Sequence, residues 1–317
     1  MANGIILFGD IGATNARFGL FAQDALGPVE WMPAAEFAHF SDAVEAFLDR
    51  RDRPALAGAL LAVAGPVEAN RATMTNRGWV IDGTELCRQF RLRSARILND
   101  FEAVAWSLPH LGAQDLHRIG AGTAVPGKPL AVLGPGSGLG VAGYIPAGGG
   151  TVIPSEGGHA TLPGSSARED RVIQHLRERF GHVSCERAVS GPGLENLYAA
   201  IAAIDGMQVP GRDAPEITRA GLDGSCATSR AALEMFCAFL GTIAGDMALA
   251  YGARGGVFIA GGIVPRILEF LERSEFRARF AAKGRMRAYL EQIPTSVVIH
   301  SDATFVGLQA LAEQDGK

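Results

Sequence analysis

Apolar residues alternate with small or polar ones through 6–21 (ILFGDIGATNARFGLF) and again through 131–145 (AVLGPGSGLGVAGYI). Glycines break each run near its middle. A period of two is that of a strand, so each run predicts two strands joined by a tight turn. Glycine lets the backbone turn sharply and lets its N–H groups come close to a ligand. Two such turns facing each other can hold a chain of phosphates through main-chain donors. Either hairpin alone is ordinary. The repeat, with Asp10 and Thr14 in the first copy, points to a nucleotide site.

Elsewhere the pattern lengthens. Residues 37–50 place Phe40, Val44, Phe47 and Leu48 on one face of an expected helix. A buried strand over 59–63 ends at Gly65-Pro66, a short helix is expected over 83–90, and a strand over 94–98 runs into Asn99-Asp100. A helix over 101–108 stops at Pro109. Strands alternating with helices indicate an α/β fold. Residues 112–129 are rich in glycine and proline and carry no period, so the first domain boundary falls there. Beyond the second hairpin come helices over 169–180, 194–204 and 228–251, the last with Gly241 and Gly245 permitting close packing. A strand over 257–259 enters Gly261-Gly262, and Pro265 suits the first turn of the next helix. A strand over 296–300 and an amphipathic helix over 303–312 complete the reading.

A length of 317 residues predicts two domains, and 48% hydrophobic residues suffice for real cores. The net charge of −4 argues against a nucleic-acid partner. Only Lys128, Lys283 and Lys317 are lysines, so nearly all positive charge is arginine. Cys87, Cys185, Cys226 and Cys237 form no CxxC pair, which predicts reduced core cysteines in a cytoplasmic protein. The chain opens on strand-like sequence without a charged leader, and the apolar run over 55–67 is shorter than the ~20 residues that span a bilayer. No membrane association is expected.

Two motifs fail on context. Gly122 to Lys128 follows the Walker A spacing, but Pro129 stands where Ser or Thr is required and no apolar strand leads in. Gly138-Leu-Gly140-Val-Ala-Gly143 matches GxGxxG, but a strand follows it instead of a helix and no acidic residue stands ~20 positions on. A nicotinamide enzyme is not expected.

Asp100 sits where a strand meets a helix, a place that suits an N-cap and also lines ligand crevices in α/β sheets. Glu156 and His159 lie between glycines in a loop-like segment, poor candidates for a core. Glu186 precedes a glycine–proline turn and by itself reads as a surface acid. No histidine pair has metal-ligand spacing.

GDIGATNAR, LNDFEAVAWSLP, LGPGSGLGVAGY, PSEGGHATLPG, ERAVSGPGLENLY and FIAGGIVPR follow one another in this order. The set resembles bacterial glucokinases of the proteobacterial type, within the sugar kinase, actin and chaperone ATPase superfamily, and spans nearly the whole chain. The resemblance implies two α/β domains of the ribonuclease H-like type with an active-site cleft between them. The expected domains are 1–110, with 301–317 packing back onto it, and 111–300. It implies ATP-dependent phosphorylation of the 6-hydroxyl of D-glucose and a homodimer. Asp100 resembles the general base. Asn99, Asp100, Glu156, His159 and Glu186 resemble the sugar-binding set, and Asp10 the carboxylate that organises Mg2+ through water. Gly9, Asp10, Ile11, Gly12, Ala13 and Thr14 resemble the first phosphate loop, and Gly136, Ser137 and Gly138, continuing to Gly140, the second. Gly261 and Gly262 resemble the turn near the adenosine.

Phosphoryl transfer rests mostly on positioning and charge stabilisation. The glycine loops hold no lysine, so neutralisation would fall on Mg2+, backbone N–H groups and the hydroxyls of Thr14 and Ser137. Ala13 stands where the family has glycine and Ser137 where it often has threonine. If position 13 needed a positive φ, alanine would cost ~1 kcal/mol. Alternatives are a kinase for another hexose, a sugar-binding regulator on the same fold, or an actin-like or chaperone ATPase. The absence of a DNA-binding extension and the retained Asp100 argue against the regulator, and a length of 317 residues against the ATPases.

Overall fold

The structure, a computed structural model, describes residues 4–74 and 78–315. The chain divides into two compact units, Met1–Gly112 with His300–Lys317, and Ala113–Ile299. Residues 1–3, 75–77 and 316–317, which the expected first domain includes, lie outside the described residues.

In the first unit the main sheet holds β1 (Ile5–Ile11), β2 (Asn15–Ala22), β3 (Ala25–Leu26), β4 (Glu30–Pro33), β5 (Leu56–Val63) and, later in the chain, β9 (Ser94–Asn99). The order is β3-β2-β1-β5-β9, with β4 beside β2. A small meander of β6 (Val67–Glu68), β7 (Arg71–Met74) and β8 (Trp79–Asp82) stands apart. Helices α1 (Phe40–Asp49), α2 (Gly83–Phe90) and α3 (Asp100–Ser107) belong to the same unit. Strands β1, β5 and β9 run parallel, and their registers align Ile11, Val63 and Asn99 across the sheet. Phe18 contacts Phe40 and Phe47 at ring centroids of 5.9 and 5.4 Å, and Phe40 meets Trp79 edge-on at 5.8 Å. These rings are almost fully buried and anchor the core on one face of the sheet.

The second unit carries a sheet ordered β10-β15-β14-β11-β12-β13. Its strands are β10 (Leu116–Ile119), β11 (Leu130–Pro135), β12 (Leu139–Ile145), β13 (Thr151–Ser155), β14 (Gly256–Ile259) and β15 (Thr295–Val298). Its helices are α4 (Ala167–Phe180), α5 (Gly191–Ile204), α6 (Ala214–Leu222), α7 (Ala227–Tyr251), α8 (Leu268–Arg273), α9 (Phe276–Ala281) and α10 (Arg287–Glu291). By length and composition α7 could cross a membrane, but 78% of its apolar window is buried within the protein. It is the core helix of this unit. An added Cβ at Gly241 or Gly245 would collide with the carbonyls of Phe276 or Phe280, so α9 lies directly on it.

The chain then returns to the first unit as α11 (Ala303–Asp315). An amphipathic helix was expected here. Most of its residues are buried on several sides, because it lies against α3 and also reaches β1 and β5. Gly307 rests on the carbonyl of Ala103, where a Cβ would collide. Other expectations change too. The expected helix over 37–50 begins at Phe40, because His39 and Asp42 form a capping box. The stretch 112–129 contains strand β10, which pairs with β15. Cys185 and Cys237 are buried as expected, whereas Cys87 and Cys226 are only half-buried.

Candidate functional site

The first glycine turn joins β1 to β2, which pair in an antiparallel register that sets Asp10 opposite Arg17. Gly12 N–H donates to the Asn15 carbonyl at 3.0 Å and closes the turn. Neither Gly12 nor Ala13 has a positive φ, so alanine at position 13 carries no backbone strain. Thr14 is exposed at the tip.

Arg17 was not among the expected site residues. Its Nε donates to Asp10 Oδ2 at 3.0 Å, and its Nη2 reaches the same oxygen. Its Nη1 donates to Asp302 Oδ1 at 2.8 Å. The guanidinium also lies over the rings of Trp31 and Phe305, 5.0 and 5.3 Å from their centroids. Burial pushes the Asp10 carboxyl up and Asp302 adds to this, while Arg17 pulls it back; the balance lies above the usual carboxylate range. Cross-strand opposition of Asp and Arg across a short turn was the signal that could have found Arg17.

Asp100 opens α3 at the carboxyl end of β9, on the same sheet edge as Asp10. With β5 between them, β1 and β9 stand about 10 Å apart. Asn99 holds the N-cap position, and the Asp100 carboxylate shares one of its donors, since Asp100 Oδ1 accepts from Phe101 N–H at 2.9 Å. Asn99 Oδ1 accepts from Phe101 N–H at 2.8 Å and from Glu102 N–H at 3.4 Å. Its amide nitrogen donates to the Gly65 carbonyl at 2.9 Å. Asp100 therefore occupies the first helical position and is half-buried.

In the second unit the turn at Gly136–Gly138 joins β11 to β12, and Gly136 N–H donates to the Gly138 carbonyl at 2.8 Å. Gly261 follows β14 with φ +85°, and a Cβ there would stand 2.5 Å from the Pro135 carbonyl. Only glycine fits at that position, and its turn is thereby set beside the second glycine turn. Glu156 precedes a single 3-10 turn, Gly157–His159, and lies 3.9 Å from His159 Nε2. Both side chains are more than half exposed. The neighbouring 3-10 turn, Cys185–Arg187, carries Glu186, and Cys185 N–H donates to the Ala160 carbonyl at 2.8 Å. Glu156, His159 and Glu186 therefore belong to two adjoining segments.

A cavity of about 590 Å3 opens beside the Gly136–Gly138 turn. Gly136, Gly191, Leu194, Pro215, Leu222 and Ile263 are among its walls, with Thr218, Arg219 and Arg266. Sequence reading gave Gly136 to the second phosphate loop and missed α6, which supplies Pro215 to Leu222. The signal was present: Asp213 and Glu216 form a capping box around Pro215. Among the described residues, no group of three or more His, Cys, Asp or Glu side chains assembles a metal cage.

The mixed α/β fold is that of solved sugar kinases. A crystal structure of glucokinase from an Antarctic psychrotroph superposes with a TM-score of 0.87 at 36% identity, covering 98% of this chain and 99% of that one. A glucokinase of the ROK family from Streptomyces griseus, solved with glucose and AMPPNP, shares the fold at a TM-score of 0.64 and 18% identity, covering 98% of this chain and 100% of that one. The family model described as Glucokinase matches residues 7–315. A glucokinase of Paramagnetospirillum magneticum is 44% identical over 312 residues, 97% of each chain. The chain belongs to the glucokinase family and is thus a sugar kinase, a transferase.

Proposed function

We propose that the protein transfers the γ-phosphoryl group of ATP to the 6-hydroxyl of D-glucose, with Asp100 as general base. Family membership over residues 7–315 carries this reading. Placement of Asp100 at a strand's carboxyl end, with Asn99 in the N-cap position, supports its role. A sugar hydroxyl is a weak acid. A carboxylate that accepts its proton as the new bond forms contributes about 10²–10⁴ in rate.

Asn99, Glu156, His159 and Glu186 read the sugar hydroxyls by hydrogen bonds. Asn99 has a second amide hydrogen beyond the one held by Gly65. The turns at Gly9–Thr14 and Gly136–Gly138 present backbone N–H groups to phosphate oxygens. Gly261 and Gly262 border the adenosine, and the apolar cavity beside Gly136 has the size and character to take its base. The residues also fit Mg2+. Both of Arg17's bonds to Asp10 end on Oδ2, which leaves Oδ1 to the ion or its water. When bound, Mg2+ supplies neutralisation of the phosphate charge. We extend the reading, on the resemblance alone, to ribonuclease H-like units, a cytoplasmic location and a homodimer.

A coupled assay with Mg-ATP against glucose, mannose, fructose, N-acetylglucosamine and no sugar tests it. Turnover confined to glucose is expected. Turnover on another hexose instead would move the error to the sugar-reading residues. Glucose binding without turnover would favour a regulator.

A further inference from the structure

Both sugar-reading segments of the second unit meet the phosphate turn at one residue, Leu139. Its N–H donates to Glu186 Oε2 at 2.8 Å. Its carbonyl faces Gly158, where an added Cβ would collide with it. The segment that carries Glu186 grips the turn a second time, because Gly191 N–H donates to the Gly136 carbonyl at 2.8 Å. Ser190 ties these two grips together. Its hydroxyl donates to the Glu186 carbonyl at 2.8 Å and accepts from Gly193 N–H at 2.9 Å, capping α5. Gly191 and Leu194 of that helix line the 590 Å3 cavity. One short stretch, 186–194, thus runs from the proposed sugar ligands, along the glycine turn, to the proposed nucleotide cavity.

We propose that Glu186 is a positioning residue for the second phosphate turn, beyond its role as a sugar ligand. This rests on the kinase reading above. One carboxylate oxygen is committed to the turn and the other remains for a sugar hydroxyl. A charged acceptor on the Leu139 N–H fixes the turn's peptide planes before nucleotide arrives. Gly138 is part of the device: a Cβ there would collide with Glu186 Oε2. Its φ is not positive, so the backbone itself accepts alanine. An alanine there would push the Glu186 carboxylate aside, so a change in the turn is also felt at the sugar.

The experiment is calorimetric titration of Mg-AMPPNP without sugar, and of glucose without nucleotide. It compares the wild type with Glu186→Ala, Glu186→Gln, Glu156→Ala and Gly138→Ala, each checked for an unchanged melting profile. Glu186→Ala is expected to weaken sugar-free AMPPNP binding about ten-fold, the size of one hydrogen bond to a charged group. Glu186→Gln keeps an acceptor for the Leu139 N–H, so it should hold AMPPNP affinity within about two-fold while losing glucose affinity. Glu156→Ala should lose glucose affinity alone. Gly138→Ala should weaken glucose binding although it lies in the phosphate turn, and it carries the test should Glu186→Ala not fold. AMPPNP affinity unchanged in Glu186→Ala, or lowered equally in Glu156→Ala, overturns the positioning role and leaves the kinase reading standing. A folded wild type that binds neither ligand overturns both.

Discussion

Arg17 donates through Nε and Nη2 to a single oxygen of Asp10, the residue directly across the first hairpin. The same guanidinium holds Asp302, one residue before α11 begins. Arg17 thus fixes the carboxylate proposed to organise Mg2+ and ties it to the C-terminal helix. Partners of this kind usually matter 10–100-fold in metal affinity or activity. Arg17→Ala should raise the Mg2+ concentration for half-maximal rate about ten-fold or more, with a much smaller change in KM for glucose. A Mg2+ titration of initial rates checks this, and an unchanged Mg2+ requirement would remove Arg17 from the site.

Asp100→Asn should keep the fold and the affinity for glucose, because Asn99 supplies the cap. It should lose about 10²–10⁴ in kcat. Wild-type-like turnover would sink the assignment of the base.

Glu156→Gln should raise Kd for glucose with a smaller effect on kcat. Glu156 lies 3.9 Å from His159 on an exposed turn and contributes little to the core. Intrinsic fluorescence titration with glucose measures it. An unaltered Kd would take Glu156 out of the sugar site.

Glu169, on α4, pairs through both oxygens with Arg279 of α9, at 2.6 and 2.9 Å, and is almost fully buried. Burial alone would raise this carboxyl. Hydrogen bonds from Arg279 and from Ser165 N–H outweigh it and hold the carboxyl below its usual value. The pair therefore contributes its full stabilisation above the unfolded pKa of about 4.3, and loses it as pH falls through the folded value. Glu169→Gln should melt lower than the wild type at pH 7, and the gap should close in acid. Arg279→Ala, which strands the buried carboxylate, should cost about 3 kcal/mol in denaturant unfolding at pH 7. Parallel melting curves from pH 7 to pH 3 would contradict the pairing.

Gly307→Ala drives a methyl group into the Ala103 carbonyl at the contact of α11 with α3. Backbone cannot yield as a side chain can, so a loss of about 2 kcal/mol is expected. Activity should fall with it, since α3 presents Asp100. An unchanged Tm would mean that the two helices are not in close contact.

Much of this was legible in the sequence. Both hairpins announced themselves because period two and a glycine turn are local signals, and six ordered motifs gave the family. What escaped depends on partners far along the chain. Strand β10 is short and polar at His117 and Arg118, and becomes a strand through pairing with β15. Helix α11 looked one-sided because its other neighbours, α3, β1 and β5, lie far upstream. The resemblance put Glu186 in the sugar-binding set, but its bond to Leu139 N–H, 47 residues upstream, has no local signal. The cap at the start of α3, expected at Asp100, falls one residue earlier at Asn99, because Asp100 itself takes the first helical position.

The division of the chain also sets an order of assembly. Residues 113–299 form a compact unit of their own, with their ends joined through the pairing of β10 and β15. The first unit is discontinuous, and Gly307 and its helix emerge from the ribosome only after that whole insertion. During synthesis, then, the segment made first waits for the segment made last. A chain that ends at residue 302 has everything the second unit needs and still leaves the β1–β5–β9 sheet unsealed, with apolar surface exposed.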